Sequence, residues 1–452
     1  MAKNATKDMT CGSPVRLLVG FFIPMLFGML FQQFYSMVDT IIVGKYLGVQ
    51  ALAAVGSTGS INFMIIGFCM GVCNGFAIPV AQKFGEKNDK QLRKFTANGA
   101  WLAIAFAAVM TVVVCVLCRR ILVWMNTPAD IIDGAYAYIF VIFLGIPATY
   151  LYNMVSGIIR SLGDSRTPLI FLIISSILNI ALDLFMIIVL KMGVAGAAWA
   201  TVIAQAVSGI CCLFFMAKRF EILHMTKEEA SPDRSIMLHL FGMGLPMGLQ
   251  YSITAIGSVV LQTAVNGIGS VAVASVAAGS KISMFFCCPF DALGSTMATY
   301  GGQNIGARKL DRISKGLHAA VWMGSVYSVI ALAVLWLFGR QIGLLFVNAD
   351  QVEILDQVHR FLVVNAAFYI PLALVNIYRF LIQGMGYSKL AVLAGVCEMF
   401  ARSVAGFCLV PVFGYIAVCF ASPLAWIAAD LFLVPSYLGI MKKLKSWEGR
   451  NA

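Results

Sequence analysis

The sequence predicts an all-α integral membrane protein: twelve transmembrane helices in two six-helix lobes, related by a pseudo-two-fold axis along the membrane normal. Three observations lead there. Hydrophobic residues make up 60% of the 452-residue chain and charged ones only 12%, with a mean hydropathy of +0.89. A soluble domain carries about a quarter charged residues, so a soluble class is excluded. Apolar windows long enough to cross a bilayer, about 20 residues each, recur along the whole length. The bases gather in alternate loops.

The short N-terminus, MAKNATKDMTCGSP, does not read as a cleaved leader, because the apolar run behind it is too long and lacks a small-residue cleavage site. The first half is expected to span at 15–43, 52–80, 96–118, 131–159, 168–190 and 194–217. A polar stretch near 219–235 follows, and the second half is expected to span at 237–266, 271–300, 317–339, 357–382, 390–411 and 415–440. The expected organisation is therefore an N-lobe over 1–218, a cytoplasmic linker over 219–235 and a C-lobe over 236–452.

The net charge of +12 invites a nucleic-acid reading, but the placement of the bases rejects it. Lys83, Lys87, Lys90, Arg93 and Lys94 follow the second span, and Arg160 and Arg166 the fourth. Lys218, Arg219, Lys227 and Arg234 follow the sixth; Arg308, Lys309, Arg312 and Lys315 the eighth. Lys442, Lys443, Lys445 and Arg450 close the chain. This is the positive-inside asymmetry, which puts both termini in the cytoplasm. The same bases suit anionic lipid headgroups.

The second half echoes the first at an offset near 221. Gly48-Val-Gln-Ala-Leu-Ala-Ala-Val-Gly56 aligns with Gly269-Ser-Val-Ala-Val-Ala-Ser-Val-Ala277, and Gln82-Lys-Phe-Gly85 with Gln303-Asn-Ile-Gly306. Pro24 meets Pro246, and Pro147 meets Pro371, within a few residues of that offset. Six spans per half is an even number, so both halves share one topology. Transporters built from such repeats bind substrate near the midplane and expose it alternately to the two sides.

Polar residues inside the spans are few enough to weigh singly. Asp39 lies inside the first apolar run and Asp183 inside the fifth, and a carboxylate at that depth is a functional candidate by default. Gln32, Tyr35, Ser36 and Asp39 fall on one helical stripe. Asn179 and Asp183 are four apart, as are Thr201 and Gln205. Carboxylate, amide and hydroxyl oxygens suit a hard monovalent cation or a shuttling proton. Pro24 and Pro246 are hinge candidates, since proline removes a helix hydrogen bond. In the second half, Gln262, Lys281, Asp291, Glu398 and Arg402 lie in spans; Glu398 and Arg402 read as a structural pair. The expected equivalent of Asp39 there is near Val260, with no acid. Coupling is therefore expected in the N-terminal half alone.

Several classes fall away. The four histidines, His224, His239, His318 and His359, lie near no acid at metal-ligand spacing, and Cys115-x-x-Cys118 has no histidine nearby. Most of the twelve cysteines act as small hydrophobes inside spans. No phosphate-cradling Gly-Lys-Ser/Thr loop is present. An enzyme, a resident metal and a cofactor are not expected.

These residues resemble the multidrug and toxic compound extrusion (MATE) family over essentially the whole chain. The motifs are Pro24 followed by Asp39 in Met-Val-Asp-Thr, Gly163-Asp-Ser-Arg-Thr-Pro168, Asn179-x-x-x-Asp183, and Pro246 opening the seventh span. The resemblance implies export of cationic, amphiphilic compounds against inward movement of H+ or Na+. It also implies that Asp39, Asn179, Asp183 and Thr201 form an N-lobe cation site, as in the branch with the DNA-damage-inducible proteins. Gln32, Tyr35, Ser36, Gln205 and Gln262 become substrate-cavity candidates. The other bacterial branch has acids in the seventh and tenth spans; this chain offers Gln262 and Arg379 there, so no second cation site is expected. A monomer in a bacterial or archaeal plasma (inner) membrane is implied. The alternatives are a lipid-linked oligosaccharide flippase of the same superfamily, which wants a basic cavity, and an intramembrane enzyme.

Overall fold

The structure is a computed structural model that describes residues 6–451, with side chains described through Trp447. Residues 1–5 and 452, and the side chain of Arg450, lie outside that description. Every regular element among the described residues is helical. The order is α1 (Pro14–Leu47), α2 (Val49–Ser57), α3 (Gly59–Gly85), α4 (Asp89–Trp124), α5 (Ile132–Leu144), α6 (Ile146–Ser161), α7 (Arg166–Leu184) and α8 (Val194–Arg219). The second half contributes α9 (Arg234–Asn266), α10 (Ser270–Gly306), α11 (Leu310–Gly343), α12 (Val352–Ala367), α13 (Tyr369–Gly384), α14 (Ser388–Val404), α15 (Val410–Phe413) and α16 (Tyr415–Asn451).

Among the described residues ten helices are long and apolar enough to cross a membrane alone, and two bent pairs, each counted as one span, bring the number to the twelve expected. The bends are 45° between α5 and α6 and 52° between α12 and α13. Pro147 and Pro371 stand just inside the second member of each pair, where a ring in place of an N–H denies the helix a continuing bond. The structure differs from expectation in three local respects. Residues 131–159 and 357–382 are broken spans rather than single rods. The second span is Gly59–Gly85, because the apolar run before it folds separately as α2. Thr58 closes α2 by donating its hydroxyl to Val55 O at 2.7 Å.

The backbone repeats along with the sequence. Both fifth spans of the halves run into a π-helical turn, at Phe185–Val189 and Ala405–Leu409. Glycines with positive φ recur in register: Gly48 with Gly269, Gly163 with Gly386, and Gly193 with Gly414. Lys87 and Arg308, both with φ of 56°, do the same after the second span of each half. Non-glycine residues rarely take that conformation, so its recurrence marks the same turn built twice.

The chain forms two compact units. One holds Ile23–Ser252 with the segment up to Asp8; the other holds Met9–Phe22 and Ile253–Ala452. The boundaries thus fall inside α1, beside Pro24, and inside α9, shortly after Pro246, while both prolines sit within continuous helices.

In the first unit, Val72 and Phe76 of α3, Ile139 and Phe143 of α5, and Ile158 of α6 are buried in one core. The first half of α9 packs on α3 through glycines: a Cβ on Gly75 would lie 2.5 Å from Gly244 Cα, and one on Gly71 would lie 2.5 Å from Met247 O. Small residues permit such close approach in membrane helices. The linker is docked on α4. Arg93 donates from Nε and Nη2 to the two Glu229 oxygens at 2.9 and 2.8 Å. Asn98 Oδ1 accepts from Asp233 N at 2.7 Å, and Trp101 Nε1 donates to Ala230 O at 3.0 Å. Arg93 and the Thr226 N–H hold the Glu229 carboxyl down at about 2.

In the second unit the segment Met9–Gly12 is strapped to the ends of α10 and α11. Gln303 of the Gln-x-x-Gly motif accepts from Met9 N at 2.8 Å. Lys309 Nζ donates to Thr10 O at 2.8 Å, and Arg312 Nη1 to Gly12 O at 2.8 Å. Large apolar side chains such as Phe214, Trp336 and Phe400 are exposed on the spans, as a lipid-facing surface requires.

Candidate functional site

Three helices of the first unit bring the acids together. Asp39 lies on α1, Asp183 and Asn179 one turn apart on α7, and Thr201 on α8. Asp183 is fully buried and Asn179 is 2% exposed, so the α7 pair faces the interior. The π-helical turn begins two residues after Asp183; such turns recur at functional sites because they displace the local register. Asn179 Nδ2 donates to Thr201 Oγ1 at 3.2 Å, and Thr201 Oγ1 donates to Ala197 O at 3.2 Å. That chain of donors fixes the amide so that Asn179 Oδ1 points away from Thr201.

Four acceptor oxygens then remain buried without a hydrogen-bonding partner: Asp39 Oδ1, Asn179 Oδ1, and both oxygens of Asp183. The Asp39 and Asp183 carboxyls act directly on one another. The phenols of Tyr35, one turn before Asp39, and of Tyr138 on α5 feel both acids. Buried acceptors without donors are costly. A proton shared by the carboxyls, or a small cation among the oxygens, removes that cost.

The remaining candidates from sequence are placed as follows. Tyr35 belongs to the acid cluster. Gln32 and Ser36 are exposed on α1. Gln205 is engaged one layer away, accepting from Thr149 Oγ1 at 2.9 Å. Gln262, in the second unit, is exposed and donates to Asn266 Oδ1 at 2.9 Å on its own helix. Among the described residues no group of three or more His, Cys, Asp or Glu is placed to hold a metal ion. Asp164 caps α7, accepting from Arg166 N at 2.9 Å and from Thr167 Oγ1 at 2.6 Å. The Gly-Asp-Ser-Arg-Thr-Pro motif is thus a helix start.

The second unit holds more charge than the sequence suggests. Arg379 of α13 is bonded to Glu398 of α14, and Arg402 reaches the other Glu398 oxygen at 3.5 Å. The expected Glu398–Arg402 pair is thus the looser half of a triad whose main partner comes from another helix. Arg379 also acts electrostatically on Asp291 of α10 and Asp430 of α16. Lys281 is exposed and forms no ion pair among the described residues. Sequence reasoning missed Tyr138 and Asp430: the first was one aromatic among many, the second one acid in the last apolar run.

A duplicated bundle of up to twelve spans among the described residues is the frame of a multi-pass membrane protein. The MatE family model matches residues 24–185 and 246–408, one copy in each half. The chain therefore belongs to the MatE family, the MATE transporters. It is 27% identical over 357 residues to the probable multidrug resistance protein YoeA of Bacillus subtilis (strain 168), covering 77% of each chain. It is 24% identical over 380 residues to DNA damage-inducible protein F of Escherichia coli (strain K12), covering 80% of this chain and 78% of that one. Among solved structures, a MATE transporter in complex with MaL6 superposes with a TM-score of 0.91 at 22% identity, over 99% of this chain and 100% of that one. An outward-facing multidrug resistance MATE transporter gives 0.91 at 22%, over 98% and 99%. Both show the same fold.

Proposed function

We propose that this chain is a secondary multidrug exporter. It moves cationic, amphiphilic compounds out of the cell in exchange for inward H+ or Na+, by alternating access. The observation that carries the reading is the set of four partnerless oxygens on Asp39, Asn179 and Asp183. A cation or proton entering from outside neutralises them; its release toward the cytoplasm restores the charge. A ligand moves a conformational equilibrium only by binding one state better than the other, and a pocket that wants one positive charge meets that condition. The name of the B. subtilis relative, a probable multidrug resistance protein, supports the drug-export part of this reading.

Both termini are assigned to the cytoplasm, which the basic loops support, and the chain to the plasma membrane. Asp39, Asn179, Asp183 and Thr201 hold the coupling ion. Gln32, Tyr35, Ser36, Gln205 and Gln262 are assigned to the substrate path, with Pro24 and Pro246 as the flexing points of α1 and α9. Purified protein in vesicles, given a pH gradient or a sodium gradient separately, tests this. A cationic dye is expected to move against one of the two gradients, and Asp39→Asn or Asp183→Asn to stop it. Equal export by wild type and both variants contradicts the reading.

A further inference from the structure

The first unit holds a second polar feature of opposite sign. Arg160, in the last turn of α6, donates from Nη2 to Asn74 Oδ1 of α3 at 3.2 Å. Asn74 stands well inside α3, eleven residues before its end at Gly85, or about 16 Å along the axis at ~1.5 Å per residue. The guanidinium is therefore drawn into the bundle and not left in the loop. Its charge acts on Tyr152, Tyr251, Cys212 and Cys73, and none of these is an acid.

Three other arginines of the helices have counter-ions. Arg93 has Glu229, and Arg379 and Arg402 share Glu398. Arg160 forms no ion pair among the described residues, although the negative end of the α6 dipole offsets part of its charge. An unpaired guanidinium in the hydrocarbon zone is costly unless water or an anion reaches it. Both Arg160 and Asn74 are partly exposed, so something can reach them. Arginine only donates, which obliges Asn74 to offer Oδ1 to it and turns the Nδ2 donor elsewhere. The pair therefore presents donors only.

We infer that Arg160 and Asn74 form a subsite for an anionic group, a carboxylate or phosphate carried by the exported compound. The inference rests on the export reading and extends it: the acid cluster takes the coupling ion, and Arg160 sorts substrates by a negative group. A lipid phosphate has the same chemistry, and the experiment separates the two sources.

Rhodamine 110, which bears a free carboxylate, and rhodamine 123, its methyl ester, are titrated by fluorescence anisotropy onto the purified chain in maltoside free of added phospholipid. Wild type is expected to prefer rhodamine 110, and Arg160→Gln to weaken that dye about tenfold, the scale of one lost charge-assisted hydrogen bond, while leaving rhodamine 123 unchanged. Arg160→Lys retains part of the preference. Loss of both dyes together, or a preference that survives in Arg160→Gln, overturns the assignment. So does a wild type that binds the two dyes alike, with Arg160→Gln changing only the co-purified phospholipid; the anion is then a lipid's. Gradient-driven export of rhodamine 123 from vesicles depends on Asp39 and Asp183 and not on Arg160. Its absence fails the transport reading while the dye discrimination in detergent remains measurable.

Discussion

Asp183 is fully buried and, apart from the Asp39 carboxyl, no group bonds either of its carboxylate oxygens, and one Asp39 oxygen is in the same condition. Replacing either by asparagine keeps the shape and removes the charge, so the fold is expected to stand while gradient-driven export falls by at least about tenfold, the loss of ~1.4 kcal/mol of coupling. Thr201→Val leaves the Asn179 amide without its acceptor and is expected to weaken ion binding about tenfold, since an orphaned buried donor costs ~1–3 kcal/mol; ion titration on the purified variant reads this. Glu398→Gln has a different signature. It removes the carboxylate that Arg402 and Arg379 share, and removal of one buried partner costs ~3–5 kcal/mol; a lowered melting temperature is expected, with transport by the folded fraction retained. At this scale, the acids of α1 and α7 were legible because each sits in an apolar run with polar neighbours on its own helix face, Tyr35 and Ser36 for Asp39 and Asn179 for Asp183; Asp430 has no such companions and was missed. Tyr138 and the Arg379 pairing were not legible, because a partner on another helix leaves no trace in spacing.

The elements show where periodicity informs and where it does not. Apolar windows located all twelve spans, since length and hydropathy alone define a helix that must satisfy its own backbone in lipid. They could not show the 45° and 52° bends, because proline near a helix start and proline at a break look alike in sequence. The linker over 219–235 read as a polar joint, yet Arg93, Asn98 and Trp101 hold it on α4. That docking is pH-dependent in a defined sense. The folded Glu229 carboxyl titrates at about 2, below its ordinary 4.5, so its contribution is complete above about 4.5 and disappears as pH falls toward about 2. Hydrogen exchange of residues 221–233 is expected to rise over that window in wild type, and to be high and flat in Glu229→Gln. The α3–α9 approach offers a packing test. Gly75→Leu has no space beside Gly244 and is expected to lower thermal stability by ~1–3 kcal/mol, the usual cost of overpacking.

The whole molecule is a duplication that kept its frame and let its chemistry diverge. Positive-φ glycines, π-helical turns and bent pairs recur in both halves, whereas the facing Asp39 and Asp183 carboxyls belong to the first unit and the Arg379–Glu398–Arg402 triad to the second. The repeat was visible in sequence because turn glycines and the Gln-x-x-Gly segments are fixed by backbone geometry. The unit boundaries within α1 and α9 were not, since a helix that begins in one unit and continues in the other has no compositional seam. Asp39 lies on α1, one of these two helices. The most direct measurement is the number of cations released when substrate binds the purified protein, read in weakly buffered solution with and without sodium. Release of about one proton or sodium ion per substrate by wild type, with none from Asp183→Asn, is the predicted result. Undiminished release from that variant would contradict the claim that these oxygens hold the coupling ion.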